Sequence, residues 1–257
     1  MTAPVGVSFD EDHTRAAFTL FHEKGNIISA EMVAALRTAL DGVSNFPALK
    51  LITLEGAGAD FSFGASIPEH AADRIADVLP AMHRLVEELL DAPAVTAAVV
   101  RGRCLGGGFE LALACDFIFA ADDAVFGLPE IALGVFPPAA SALLPLRIGA
   151  SRATRAILTG ASGSASEWRA TGLLELVVPR AILAVEVDRW FATHLASKSA
   201  AALRHAAIAA RTEISGRVRQ TLPVLEQLYL NDLMRTHDAV EGIAAFIAGR
   251  PPSWKHQ

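Results

Sequence analysis

The chain has 257 residues, 52% of them hydrophobic and 19% charged, with a formal net charge of −6. That length suits one domain, or one domain with an appendage, and the composition excludes a disordered chain. Net acidity, with no basic run longer than a dipeptide, argues against nucleic acid as the main partner.

Several absences narrow the setting. The opening "MTAPVGVSFDEDHTR" lacks a basic segment followed by an apolar one. No stretch of about 18 apolar residues occurs, so no membrane span is expected. Cys104 and Cys115 have neither CxxC spacing nor a nearby His, which reads as two buried thiols in a reducing compartment. The expectation is a soluble, cytoplasmic protein.

The first third alternates strands and helices. "RAAFTLFH" (15–22) reads as a strand and "SAEMVAALRTAL" (29–40) as a helix. Ser29 stands at its N-cap, and Met32, Val33, Leu36 and Leu40 share one apolar face. "ALKLITLEG" (48–56) reads as a buried strand, "VLPAMHRLVEELLDAP" (78–93) as a helix stopped by Pro93, and "AVTAAVVRG" (94–102) as the next strand. A glycine turn, Gly106 to Gly108, then leads into a short apolar helix, and "DFIFAADDAVFG" (116–127) reads as further strand. From Ser151 helices dominate, at 151–160, 164–172 and 180–197, with a short strand at "ELVVP" (175–179), and the last sixty residues read as almost wholly helical. An α/β core with parallel connections and a helical C-terminal extension is expected.

The glycine turn poses a chemical question, because Gly106-Gly107-Gly108 precede Phe109 and then one acid, Glu110, in an apolar run. A sharp strand-to-helix turn by itself calls for glycine. No Gly-Lys-Ser/Thr follows, so the segment is not a P-loop, and no early G-x-G-x-x-G marks a dinucleotide site. The other use is an anion or oxyanion pocket made by bare N–H groups at a helix N-terminus. The helix end would lower the Glu110 pKa and apolar burial would raise it. Glu130, in "FGLPEIALGVFPP", is a second isolated acid, and two such carboxylates can hold one water as base and acid. "GADFSFGASIPEH" (58–70) reads either as a surface loop or as the source of a second oxyanion N–H. His70 and His83 have no acid placed to complete a zinc site, and "GASGS" (160–164) is no nucleophile elbow, so neither a metal nor a serine nucleophile is indicated.

Taken together, Phe61-Ser-Phe-Gly-Ala-Ser-Ile67, Gly102 to Asp116 and Phe126 to Gly134 resemble the crotonase (enoyl-CoA hydratase/isomerase) superfamily. Segments 155–179 and 238–254 extend the resemblance to nearly the whole chain. It implies the crotonase fold, a spiral of ββα units (1–198, with the CoA-thioester site) and a C-terminal helical region (199–257) that builds homotrimers, often paired into homohexamers. It implies an oxyanion hole from the N–H groups of Ala65 and Gly107, with Glu110 and Glu130 as catalytic acids. It places the CoA moiety near Phe63, Ala65 and Ile67, and near Lys24 and Asn26. No cofactor is implied, since coenzyme A is part of the acyl-CoA thioester substrate.

Two departures from the ordinary enoyl-CoA hydratase pattern narrow the resemblance. Ser66 stands where Asp is usual, and Gly134-Val-Phe-Pro-Pro-Ala-Ala-Ser141 replaces a Gly-rich segment. Both features are similar to the cyclohexa-1,5-diene-1-carbonyl-CoA hydratases of benzoyl-CoA degradation. A Phe136-Pro137-Pro138 wall against a flat ring and a proline-stiffened loop are both compatible with that segment. The implied reaction is hydration of the diene to 6-hydroxycyclohex-1-ene-1-carbonyl-CoA, with Glu110 activating water and Glu130 donating the proton. Alternatives are a general short-chain enoyl-CoA hydratase, an enoyl-CoA isomerase, or a non-catalytic acyl-CoA-binding module.

Overall fold

Val5–Phe9 (β1) and Arg15–Leu20 (β2) pair antiparallel across a turn closed by Asp10. The Asp10 carboxylate accepts from the N–H groups of Thr14 (2.7 Å) and Arg15 (2.9 Å) and from the Thr14 hydroxyl (2.6 Å). The structure, a computed structural model, describes residues 3–71 and 74–257. The next helix, Ala30–Val43 (α1), starts as expected at Ser29, whose hydroxyl accepts the Met32 N–H, and buries Met32, Val33, Leu36 and Leu40. Leu51–Gly56 (β3) leads to a 3-10 turn at Ile67–His70, then to Ile75–Leu90 (α2) and Val95–Val100 (β4).

Arg103–Leu105 (β5) runs into Gly107–Ala114 (α3), followed by Phe117–Ala121 (β6) and Val125–Gly127 (β7). A 3-10 turn at Pro129–Leu133 precedes Pro138–Ile148 (α4) and Ala150–Thr159 (α5). Gly163–Ser164 (β8), Ala165–Arg169 (α6), Leu176–Val178 (β9) and Leu183–His194 (α7) follow. The chain then becomes helical: Ala200–Gln227 (α8), a π-helical turn at Leu228–Asp232, and His237–Ile247 (α9).

The main sheet has the order β1-β2-β3-β4-β6-β9, and every pair after the first is parallel. The alternation read from sequence therefore produces the parallel connections it implied. One face of the sheet packs on α1 to α4 through the principal core, which includes Phe18, Leu36, Leu54, Leu85, Phe109 and Leu113. The other face is covered by α7, with Leu183, Val187 and Phe191 against Val99 and Phe119.

Two elements differ from expectation. The 116–127 segment is not one strand: β6 stays in the main sheet, while β7 joins β5 and β8 in a separate three-stranded sheet. Strands of two or three residues are too short to show a period of two. Pro137-Pro138 is not a loop stiffener but the entry to a helix, with Pro138 at its first position, where a fixed φ and a missing N–H are harmless. The Pro137 carbonyl accepts the Ser141 N–H (2.9 Å) and hydroxyl (2.7 Å).

The C-terminal helices are tied to the core by specific chemistry. Buried Arg211 of α8 donates to Asp116 Oδ1 (2.7 Å) and to the carbonyls of Ala92 and Ala94 (2.7 Å each), while Asp116 accepts the Thr96 N–H (2.8 Å). Helix α9 folds back onto both 3-10 turns. A small third cluster of Ile75, Leu79, Val135, Tyr229, Met234 and Ile243, joined by Ile67 and Phe136, fills the space beneath it. Among the described residues no helix is long and apolar enough to cross a membrane.

Candidate active site

The site grows from the glycine turn. Gly106 has φ +48°, a left-handed conformation that favours glycine, and its N–H donates to the Gly127 carbonyl (2.9 Å). A Cβ built there would lie 2.6 Å from Glu130 Oε1, so the carboxylate of the second acid rests against this bare Cα. At Gly107 a Cβ would lie 3.2 Å from both the N and the Cβ of Ala65. The glycines thus admit a carboxylate at one position and a facing amide at the next.

The loop carrying Ala65 is pinned on both sides. Ser62 donates its N–H to Arg103 O (2.9 Å), and its hydroxyl donates to Asn26 O (2.7 Å). Ile28 donates to Gly64 O (2.9 Å) and Ser66 donates to Ile28 O (3.0 Å), which turns the intervening Ala65 N–H away from that pairing. Among the described residues, neither the Ala65 nor the Gly107 N–H has a hydrogen-bond partner. Gly107 opens α3, so its amide also carries the positive end of that helix.

The two acids sit in different electrostatic settings. Glu110, in the first turn of α3, is buried, and its Oε1 accepts the Ala140 N–H at 2.8 Å. The amides of Ala139 and Ala140, at the N-terminus of α4, favour its charged form. Burial is nonetheless the larger effect and pushes its pKa up to about 7, which answers the competition the sequence left open. Glu130 sits on the Pro129–Leu133 turn, and its Oε2 is buried with no partner among the described residues. Burial, then the charge of Glu110, raises its pKa to about 8. The two carboxyls form one coupled pair, in which the amides at the start of α4 favour the charged form of Glu110 and the charge of Glu110 disfavours that of Glu130.

Such raised values carry a stability signature. A carboxyl whose folded pKa lies above its ordinary value binds more protons folded than unfolded, so stability falls as pH rises through that interval. For Glu130 the interval runs from about pH 4.5 to about pH 8. The melting temperature of E130Q minus that of the wild type should grow across this range and then level off. A constant or shrinking difference, followed by scanning calorimetry against pH, would contradict the buried-acid reading.

The other expected site residues divide into two groups. Ile67 and Phe136 lie in the third cluster, and Pro137, at the N-cap of α4, is buried beside them. Lys24 and Phe63 are exposed, and the Arg103 guanidinium sits 5.3 Å over the Phe63 ring. Asn26 bonds to backbone groups through its side chain. It is buried at φ +52°, its amide donating to Ala57 O and Asp60 O (2.9 Å each) and accepting the His22 N–H (3.1 Å). Its side chain braces the loop. A cavity of about 220 Å³ lined by Arg152, Arg155, Ser162 and Trp168 contains none of the expected residues.

One residue escaped the sequence reading. Tyr229, the single tyrosine of the chain, lies in the π-helical turn with its hydroxyl buried and unpaired among the described residues. Its ring is 5.4 Å from that of Phe136. Its solitary occurrence was visible, but nothing in "EQLYLND" sets it apart from core tyrosines.

Two unpartnered amides brought close together, with buried Glu110 and half-buried Glu130 nearby, form an arrangement chemically able to polarise an acyl carbonyl and move protons at neighbouring carbons. The chain belongs to the enoyl-CoA hydratase/isomerase family, whose model matches residues 16–257. It is 43% identical over 256 residues to the cyclohexa-1,5-dienecarbonyl-CoA hydratase of Thauera aromatica, covering 100% of this chain and 98% of that protein. It is 35% identical to a probable enoyl-CoA hydratase of Mycobacterium bovis, over 90% of each. A crystal structure of an enoyl-CoA hydratase from Mycobacterium avium subsp. paratuberculosis superposes with TM-score 0.86 at 27% identity, covering 99% of this chain and all of that one. The fold is that of the crotonases, and the chain is a hydro-lyase of that family.

Proposed function

We propose that the protein adds water to cyclohexa-1,5-diene-1-carbonyl-CoA, giving 6-hydroxycyclohex-1-ene-1-carbonyl-CoA. The ring substrate is supported by the full-length likeness to the Thauera aromatica hydratase. The division of labour is supported by one observation: Glu110 Oε1 accepts the Ala140 N–H at the start of α4, whereas Glu130 Oε2 has no partner among the described residues.

The thioester oxygen would take the N–H groups of Ala65 and Gly107, each donor contributing about 3 kcal/mol to the transition state. Withdrawing charge toward that oxygen makes the β-carbon electrophilic. Glu110, as the carboxylate, takes a proton from water while the hydroxyl adds to the β-carbon. The resulting dienolate extends over the oxygen and the far end of the diene. Glu130, still protonated, delivers its proton to that far carbon, and the remaining double bond stays conjugated with the carbonyl. The proton on Glu110 then returns to Glu130 through solvent, restoring the starting state. Lys24 and Phe63 suit the CoA portion, and Ile67, Phe136 and Pro137 the acyl portion. Residues 1–198 would house the two acids and the oxyanion donors, and 199–257 would build a homotrimer or a dimer of trimers, which sedimentation velocity tests. A cytoplasmic location is the matching expectation.

The second reading, a hydratase of linear enoyl-CoA, has the Mycobacterium bovis relative in its favour. Purified protein given crotonyl-CoA and the cyclic dienoyl-CoA side by side separates them. Fast hydration of the diene with little action on crotonyl-CoA is the expected result; the reverse would leave the glutamate pair standing and retire the ring substrate.

A further inference from the structure

The two assigned acids leave one polar atom of the site unexplained. The Tyr229 hydroxyl is buried and has no partner among the described residues. Leaving such a group unpaired is unfavourable by about 1–3 kcal/mol, so it calls for a partner such as water or a ligand oxygen. Its backbone is a π-helical turn between α8 and the last helices, a local irregularity that recurs at functional sites.

Its surroundings tie it to the acids. The Tyr229 ring packs edge-on to Phe136, at 5.4 Å, within the cluster that also holds Ile67 and Val135. That stretch links the two glutamates: the Val135 N–H donates to Glu130 O (3.3 Å), and Ala140, four residues after Phe136, holds Glu110. Burial above all keeps the phenol protonated, with its pKa far above neutrality. Tyr229 is thus a neutral hydroxyl held against Phe136, on the stretch that joins the two acids, within an otherwise apolar wall.

We propose that the Tyr229 hydroxyl is a further substrate-directed group that hydrogen-bonds the oxygen of the attacking water, and then the product hydroxyl, opposite Glu110. Donating to the water oxygen leaves one water proton aimed at Glu110 and a lone pair aimed at the β-carbon. Tyr229 keeps its own proton throughout. This inference rests on the hydratase reading and adds to it a recognition element for the added hydroxyl.

The test is Tyr229→Phe. Removing an unpaired buried hydroxyl while keeping the ring should leave the melting temperature unchanged or higher. The value of kcat/KM for hydration should nevertheless fall roughly 10- to 100-fold, the size of one lost hydrogen bond in a buried site. Calorimetry with two non-reacting comparisons isolates the contact: affinity for a β-hydroxyacyl-CoA product should fall, and affinity for the saturated acyl-CoA without the hydroxyl should not. Unchanged kinetics and product affinity would overturn the proposal. So would a loss shared equally by both ligands with a lower melting temperature, since that describes packing alone. The wild type is assayed first with both dienoyl- and crotonyl-CoA. If it hydrates only crotonyl-CoA, the ring substrate fails while the Tyr229 comparison proceeds with 3-hydroxybutyryl- and butyryl-CoA.

Discussion

Replacing Glu130 by Gln should lower kcat for hydration roughly 100- to 10,000-fold, and Glu110→Gln should do the same. An amide neither accepts the water proton nor delivers one to carbon. Both variants should fold, because Gln matches Glu in volume and the amide oxygen of the replacement can still take the Ala140 N–H that Glu110 accepts at 2.8 Å. The two losses should also behave as a unit: the double variant should be little worse than the poorer single one, since each acid's step is idle without the other. Steady-state kinetics with circular dichroism on all three variants makes the check. Turnover close to wild type in either single variant would remove that residue from its role.

The second large effect concerns the backbone. Gly107→Ala places a methyl 3.2 Å from both the N and Cβ of Ala65, inside the gap that the two free amides share. The thioester oxygen could no longer reach both donors, and a loss of about 100- to 1,000-fold in kcat is expected, the size of one missing oxyanion donor. Stability should change little. The Gly107 φ is not in the left-handed region, and Ala is a better helix former than Gly by about 1 kcal/mol, which offsets the tight contact. Gly106→Ala differs, because its φ of +48° is strained for Ala and its methyl would meet Glu130 Oε1 at 2.6 Å. That variant should lose stability along with activity. A Gly107→Ala enzyme of normal rate would show that the carbonyl is held elsewhere.

The sequence was most legible where periodicity runs long. The face of α1 at Met32, Val33, Leu36 and Leu40, with Ser29 as cap, needs only 3.6-residue spacing and one hydroxyl. Strand β1 was not visible because it is an edge strand with a single buried residue, Val5, so it lacks a hydrophobic alternation. The sheet of β5, β7 and β8 was missed because its strands are held by contacts distant in sequence.

The acids were legible as isolated carboxylates in apolar runs. Their different hydrogen-bonding settings were not, since Ala139 and Ala140, about thirty residues beyond Glu110, turn into a helix whose amides favour the charged form of Glu110. The same turn explains why Pro137-Pro138 reads as a stiff loop in one dimension and serves as a helix entry in three. Asn26 was expected near the CoA moiety only through the family resemblance, which says nothing of its side-chain bonds. Its burial and its three bonds to backbone groups are properties of the fold, not of the motif. Tyr229 lies 119 positions from Glu110 in sequence, beyond the reach of any local pattern.

The most direct test of the account is to run the hydration of cyclohexa-1,5-diene-1-carbonyl-CoA in deuterium oxide and locate the label by NMR. Glu110 activating water at the β-carbon while Glu130 serves the far end of the diene predicts one deuterium on the ring carbon across from the new hydroxyl, and none on the ring carbon next to that hydroxyl. Deuterium on the carbon adjacent to the new hydroxyl would contradict that arrangement and mark direct addition across a single double bond.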